Sequence, residues 1–413
     1  MNLDPITLEV IRNKLDGISN EMQYSLLRSA FSPIVKEGLD ASSSLFTLKG
    51  ETLSQSISIP IHLGTLIPII NEILKFNSVN TMEDGDIFIM NDPYLGGTHL
   101  PDIAIIMPIF NKNKLVGLSA TMAHHQDVGG MTPGSVPTNA TEIFQEGIRI
   151  PPLKLASAGK VDENLIRLIK LNVRLPEIFM GDINAQIAAC NVGRRRLIEL
   201  CQKYDNHFIL QIFENLLDRS EQMTREALKK FPSGKYQYTD YLDNDGINLD
   251  ERIKISVEAI IDEGQITFDF NQTSKEVKGP FNCVPSGSLS AACFALRVLT
   301  GSDIPTNGGC FRPINLILPK GSIVNPNEPA PVNARTSTIK RITGCMVNAF
   351  QEVLSERATA DSASEMLILQ FGGTHYDGRR FIVGELIASG SGAGVSTDGV
   401  DVIETDASNC MNL

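Results

Sequence analysis

Three closely spaced apolar runs limit what this chain can fold into more than any other feature: "DIFIM" at 86–90, "DIAIIMPIF" at 102–110 and "KLVGLSATMAH" at 114–124. Each is rich in isoleucine or other strand-favouring residues and is bounded by turn signals, which predicts three strands. Their apolar residues run on almost without alternation, so the sheet they form is expected to be largely buried. A buried sheet leaves its polar chemistry to the loops at its strand ends. Two such loops, "NDPYLGGTHLPDI" at 91–103 and "HHQDVGG" at 124–130, hold three of the chain's six histidines.

The flanking sequence predicts a mixture of helices and strands. Asp4-Pro5 reads as an N-cap and first-turn proline, and Ile6, Val10, Ile11, Leu15, Ile18, Met22 and Leu26 recur at helical spacing, giving a helix over 4–29. Strands are expected at 43–49 and up to 59, about the turn "LKGE", and a helix over 62–76. Residues 131–160 are rich in Pro, Gly and Thr and predict little regular structure, a pattern more often functional than idle. Residues 162–231 predict a hairpin of long helices. Strands follow at 252–262 and 264–270, then helices at 287–300 and 338–357 around a stretch dense in Pro, Gly and Asn. The Gly/Ser-rich end is expected to close without a helix or strand. The expected fold class is α+β and multi-domain, with mixed sheets and a central helical hairpin. Its regions are an N-terminal α/β part at 1–160 carrying the metal-site loops, a long-helix part at 161–232 and a C-terminal α+β part at 233–413.

Composition excludes several functions. A net charge of −12, 6% aromatic residues and no tryptophan argue against a phosphate-backbone or single-strand binder. The basic "NVGRRRLIEL" at 191–200 reads as a solvated face or a subunit contact. Seven scattered cysteines (190, 201, 283, 293, 310, 345 and 410) include no CxxC pair, so neither a disulfide framework nor a zinc ribbon is expected. With no signal-peptide pattern at residue 1 and no run of 18 apolar residues, the expected location is the cytoplasm.

The candidate chemistry lies in the two His/Asp loops. His99, Asp102 and His124 form a ligand set for Zn²⁺, Mn²⁺ or Fe²⁺, and Asp92, His125 and Asp127 are further ligands or outer partners. The alternative is that His99 caps a turn while His124 and His125 end a strand; spacing leaves both open. Glu37 and Asp40 could reach a metal or act as a base, or could be ordinary solvated acids. His62 reads as a structural, hydrogen-bonded histidine at a helix start, and Cys310 as a buried thiol. Arg312, Arg335 and Arg341 could clamp a substrate carboxylate or tie loops together. "GSGAGVSTDG" lacks the pattern of a phosphate loop, so no ATP site is expected in this chain.

Several stretches together resemble the hydantoinase B/oxoprolinase family. They are "DPITLEVIRNKLDGISNEMQYSLLRSAFSP", "EGLDASSSLF", "IPIHLGT", "GDIFIMNDPYLGGTHLPDI", "HHQDVGGMTPGS", "EIFQEGIRIPPLKL", "DINAQIAACNVGRRRL", "GGCFRPI" and "MNL" near the end, in order over nearly the whole chain. Such proteins are B-type subunits of ATP-dependent hydantoinases and 5-oxoprolinases, with large subunits of acetone and acetophenone carboxylases as relatives. The resemblance implies one divalent metal ion held by a His-x-x-Asp and a later His, matched here by His99, Asp102 and His124. It also implies an A-type ATPase partner subunit, which uses ATP to phosphorylate the substrate amide or carbonyl oxygen. Two departures stand out: position 38 is glycine where an arginine is usual, and relatives run on past "NCMNL", which suggests a split or truncated subunit.

The resulting expectation is a cytoplasmic B-type subunit of an ATP-dependent cyclic-amide hydrolase. It would act on a small molecule within a hetero-oligomer, with no nucleic acid or membrane partner. Asp40, His125 or Asp127 would be the general base or an outer partner. The alternatives are a subunit of an ATP-dependent ketone carboxylase and a non-catalytic scaffold for the ATPase.

Overall fold

The computed structural model describes residues 4–356, 358–363, 367–403 and 407–408. Its elements run α1 (Pro5–Ser29), α2 (Pro33–Lys36), β1 (Ala41–Phe46), β2 (Thr52–Gln55), α3 (Leu66–Phe76), β3 (Ile87–Met90), β4 (Asp102–Asn111), β5 (Lys114–His124), β6 (Leu153–Ser157) and β7 (Lys160–Val161). Next come α4 (Glu163–Asn172), α5 (Pro176–Tyr204) and α6 (Asn206–Leu228), then β8 (Gly234–Leu242), β9 (Ile253–Asp262) and β10 (Gln265–Asp269). The remainder is α7 (Pro285–Thr300), α8 (Gly308–Phe311), β11 (Ile314–Ile317), α9 (Arg335–Asn348), β12 (Leu367–Thr374) and β13 (Arg380–Ile387).

The three apolar runs become the centre of a sheet ordered β2-β1-β5-β4-β3-β6-β7, antiparallel throughout. Antiparallel strands usually alternate in polarity, and these do not because both faces are covered. On one face Ile103, Ile105 and Met107 pack against Phe179, Ile183 and Cys190 of α5, while Ile109, Val116 and Ala123 join a cluster with α1, α5 and α6. On the other face Ala104, Ile106, Leu118, Ala120 and Met122 pack against Leu66, Ile69, Ile70 and Ile73 of α3.

The α5–α6 hairpin turns at Asp205, whose φ of 61° reverses the chain and whose carboxylate accepts the Phe208 N–H. Beyond it lies a mixed sheet ordered β11-β10-β9-β8, with β10 and β11 parallel and the other pairs antiparallel. Helices α7 and α9 share its apolar core. The fold is α+β with mixed sheets, as the sequence predicts.

Some expected elements shift. Residues 131–160 contain β6, which adds to the sheet edge at β3 through Phe88 and Ile89, so that stretch is less irregular than its composition predicts. The chain's end also carries the β12–β13 hairpin, where glycines hid the strand pattern. Cys410 lies outside the described residues; the other six cysteines are free and buried. Among the described residues no helix is long and apolar enough to cross a membrane.

Two glycines separate close packing from mere helix content. A Cβ on Gly309 in α8 would lie 1.9 Å from the Leu217 carbonyl oxygen of α6, whereas one on Gly17 in α1 would meet nothing within 4 Å. Gly309→Ala should therefore destabilise by about 1–3 kcal/mol or more through overpacking against backbone. Gly17→Ala should stabilise by about 0.5–1 kcal/mol, the cost of a helical glycine. Urea unfolding of both variants followed by circular dichroism measures the two signs.

Candidate metal centre

Strand register assembles half of the site. Asp102 stands opposite His124 in the β4–β5 ladder. Ala41 stands opposite Ala123 in the β1–β5 ladder, and the His124 N–H donates to the Asp40 carbonyl at 3.0 Å. Asp40, His124 and Asp102 thus form a row across one end of three adjacent strands. His99 arrives on the preceding loop, which Asp92 starts by accepting the Tyr94 N–H at 2.9 Å. Gly97 lies so close beneath the returning chain that a Cβ would come within 2.7 Å of the Asn91 carbonyl oxygen. Gly96 adopts φ 101° in the same turn, a conformation that favours glycine. The Asp102 N–H then donates to the His99 carbonyl at 3.1 Å.

The three side chains converge on one point. His99 Nε2 lies 3.1 Å from Asp102 Oδ1 and 3.1 Å from His124 Nδ1, and His124 Nδ1 lies 3.3 Å from Asp102 Oδ1. His99 and Asp102 are buried, while His124 keeps 12% of its side chain exposed. Asp102 Oδ1 is buried and takes no hydrogen bond, although both imidazoles are within reach.

Outer partners explain why these atoms face inward. The His99 Nδ1–H donates to Asn333 Oδ1 at 2.6 Å, which leaves Nε2 with a lone pair aimed at the other two groups. Arg335 Nη2 donates to Asp102 Oδ2 at 2.6 Å, and the Thr98 hydroxyl donates to the same oxygen. Asp102 therefore offers only Oδ1 to the site. Two lone pairs and a carboxylate oxygen this close repel one another unless a cation or a proton lies between them. Ligands bonded at ~2.0–2.2 Å to one ion stand roughly 3–3.5 Å apart, so the donor set fits a divalent metal.

Electrostatics show what balances the trio: burial lowers His124, but the Asp102 hydrogen bond and the charges of Asp40 and Asp102 outweigh it and raise its pKa, favouring the protonated ring that a bound cation would replace. Burial, aided by the Arg335 guanidinium, holds His99 down at about 4, so its imidazole is neutral at ordinary pH. Burial opposes ionisation of Asp102, but His99 and Arg335 outweigh it and keep the carboxyl well below its usual range. Asp40 also ends lowered: burial raises it, and the His62 hydrogen bond and the charge of His124 overcome that. His62 Nε2 is 3.2 Å from Asp40 Oδ1, and Asp40 Oδ2 is 3.8 Å from His124 Nδ1.

Other sequence candidates are placed elsewhere. His125 turns toward α5, where its Nε2 meets Gln186 Oε1 at 3.0 Å and its ring lies on Phe179. Asp127 accepts N–H bonds from Gly129, Gly134 and Arg174 and pairs with the Arg174 guanidinium at 2.9 Å. Neither is brought to the trio. Asp92 shapes its turn and pairs with Arg149, and Glu37 caps the end of α2. Arg312 binds Glu51, Asp218 and Glu221, and Arg341 binds Asp240, so both tie the chain to itself. The Cys310 thiol is buried and pushed up to about 11 by that burial. Arg335, the third of the candidate arginines, instead meets Asp102 at the site. The site residue that spacing does not reveal is Asn333, 234 residues from His99. His62 was readable as hydrogen-bonded but not as Asp40's partner.

Fold and site together define an α+β protein whose sheet ends carry a two-histidine, one-carboxylate centre suited to a divalent ion. The chain belongs to the hydantoinase B/oxoprolinase family, whose model matches residues 4–413. It is 31% identical over 427 residues to the B-type subunit of a putative D-/L-hydantoinase from Pseudomonas sp. strain NS671, covering 99% of this chain and 71% of that protein. It is 31% identical to 5-oxoprolinase 1 of Arabidopsis thaliana, covering 98% of this chain and only 33% of that protein. The crystal structure of the ATP-dependent caprolactamase from Pseudomonas jessenii superposes with a TM-score of 0.90 at 30% identity, covering all of this chain and 72% of that one. The chain thus spans a third of the plant 5-oxoprolinase and roughly seven-tenths of the other two.

Behind Asn333, Glu146 is buried with its Oε1 accepting the N–H groups of Val332 and Asn333, each at 2.9 Å. Burial pushes its carboxyl from 4.5 up to about 8, against those two bonds. The folded chain therefore keeps a proton that the unfolded chain releases. The stabilisation from this group is complete below pH 4.5 and is lost as pH rises to about 8. Glu146→Gln should flatten the fall in stability across that window, read as the difference between wild-type and variant urea midpoints from about pH 5 to 8.5.

Proposed function

We propose that this chain is the metal-bearing subunit of an ATP-dependent cyclic-amide hydrolase of the hydantoinase or 5-oxoprolinase kind. An A-type ATPase partner would phosphorylate the amide oxygen of a small cyclic substrate, and this chain would complete the ring opening within a hetero-oligomer. The observation that carries the reading is the convergence of His99 Nε2, His124 Nδ1 and Asp102 Oδ1 on one point. Family membership supports it, as do relatives named as a hydantoinase and a caprolactamase.

His99, Asp102 and His124 would hold one divalent ion, and their chemistry suits Zn²⁺, Mn²⁺ and Fe²⁺ alike. Such an ion lowers the pKa of a water and polarises the carbon under attack. The chain's own residues supply the rest. Asp40 is the general base: its pKa is lowered, it lies beside His124, and its Oδ1 sits 3.2 Å from His62 Nε2. Asp40 Oδ2 would take the proton from the attacking water and return it to the ring nitrogen; the C–N bond then breaks as the added hydroxyl loses its proton, leaving a ring-opened acyl phosphate whose phosphate leaves to a second water. Thr98 and Arg335 bind Asp102 Oδ2 and stop that carboxylate from rotating. The partly exposed His124 marks the side from which substrate enters.

The test is co-expression with an A-type partner, metal analysis, and ATP-coupled hydrolysis of hydantoin and 5-oxoproline. Wild type should carry one divalent ion per chain. His99→Ala should lose both ion and turnover, beyond the ~10–100-fold that loss of an outer partner costs. Asp40→Asn should keep the ion and lose turnover. Carefully purified wild type without a divalent ion, together with an active His99→Ala, would sink the mechanism; strict dependence on bicarbonate would point to carboxylation instead.

A further inference from the structure

The stretch "EIFQEGIRI" at 142–150 contributes no ligand and no candidate base, yet it grips the segment that supports the metal centre. Three of its residues, spaced three apart, reach that segment. The Ile143 N–H donates to the Pro329 carbonyl at 2.9 Å, Glu146 takes the N–H groups of Val332 and Asn333, and Arg149 Nη1 meets Glu328 Oε1 at 2.7 Å. The Tyr94 hydroxyl adds a bond to the Ala330 carbonyl at 2.6 Å.

These grips are not equivalent. Arg149 and Tyr94 hold the rim, where Glu328 is half exposed. Glu146 is fully buried and binds the main chain of Asn333, whose side chain meets His99 Nδ1. Two residues further on, Arg335 meets Asp102. A bare hydrophobic contact at position 146 would hold the segment near the sheet but would leave two buried N–H groups without partners, at about 1–3 kcal/mol each. It would also remove two restraints from the main chain at 332–333, leaving the Ala334–Pro280 and Asn282–Pro331 bonds and the Asn333 side chain's bond to Ser135 to hold it.

We propose that Glu146 is a positioning residue for the metal centre. By fixing the main chain at Val332–Asn333 it holds Asn333 Oδ1 on the His99 Nδ1–H, and so selects the imidazole tautomer whose Nε2 lone pair faces Asp102 and His124. The metal part of this inference rests on the proposed function; the tautomer part does not.

Two readouts separate these parts. The first is zinc affinity, measured by competition with a chromophoric chelator. The second is the ring-nitrogen spectrum of the metal-free chain carrying ¹⁵N-labelled histidine, in which only six residues contribute. Glu146→Ala should weaken zinc binding about 10–100-fold, as expected for loss of an outer partner, and should shift His99 from the Nδ1–H form to a tautomer mixture. Glu146→Gln keeps Oε1 as an acceptor and should retain both properties. The double variant Glu146→Ala/Asn333→Ala should be no worse than Asn333→Ala alone, because both changes act through one contact. Arg149→Ala, which loosens the same segment at its rim, should leave the tautomer unchanged. If Glu146→Ala cannot be folded, Glu146→Asp, which draws the carboxylate back from the segment, takes its place with the same expectations. An unchanged His99 tautomer in the position-146 variant, additive losses in the double variant, or an equal tautomer shift in Arg149→Ala would each overturn the proposal. Wild type that takes up no zinc would overturn the metal reading, while the tautomer spectrum would still decide the role of Glu146.

Discussion

The antiparallel register of β1, β5 and β4 is the constraint on which the site depends. It places Asp102 across from His124 and brings Asp40 against His124 from the other side. A slip of one residue in either ladder would turn a ligand to the opposite face of the sheet. The register is itself held by burial. Ile103 and Ile105 face α5 while Ala104 and Ile106 face α3, so a slip would exchange two differently shaped apolar faces. Packing well away from the chemistry therefore sets the ligand positions.

The cost of gathering charge in that place is met locally. Asp102 is almost wholly inaccessible to water, and an isolated carboxylate there would be strongly disfavoured. Arg335 and Thr98 satisfy one of its oxygens and leave the other for the site. His62 Nε2 sits 3.2 Å from Asp40 Oδ1. Asp102 thus has one oxygen for support and one for function. His99 follows the same division, with Nδ1 committed to Asn333 and Nε2 left open.

Much of this was legible in sequence. The strand runs, the capped first helix and the helical hairpin follow from apolar spacing and turn residues. Ligand chemistry on two loops at strand ends offered the trio as one of two open readings, and the resemblance to the family named the same residues. The glycine-bearing β12–β13 hairpin escaped because its alternation is interrupted. His125 and Asp127 shared the composition of the ligand loops but not their direction: position 125 points to α5, and Asp127 closes its own turn on Arg174. Composition cannot report direction when the residues lie beyond the last ladder pair. Asn333 escaped for a different reason, and Arg335 was read as a clamp or tie without its partner. Both come at the end of a stretch dense in Pro, Gly and Asn with no periodic signal, and only the three-dimensional fold brings that stretch to the sheet.

The separation of His99 from Asn333 by 234 positions has a consequence for the order of assembly. All three proposed ligand side chains have been synthesised once the chain reaches residue 124, but the groups that orient them arrive only with the segment at 333–335. During synthesis the growing N-terminal part would offer a loose, fast-exchanging ion site with either His99 tautomer available. Arrival of the later segment would then fix the His99 tautomer. The trio's geometry thereby depends on two distant parts of the chain having met, and retention of the proposed ion would mark completed folding.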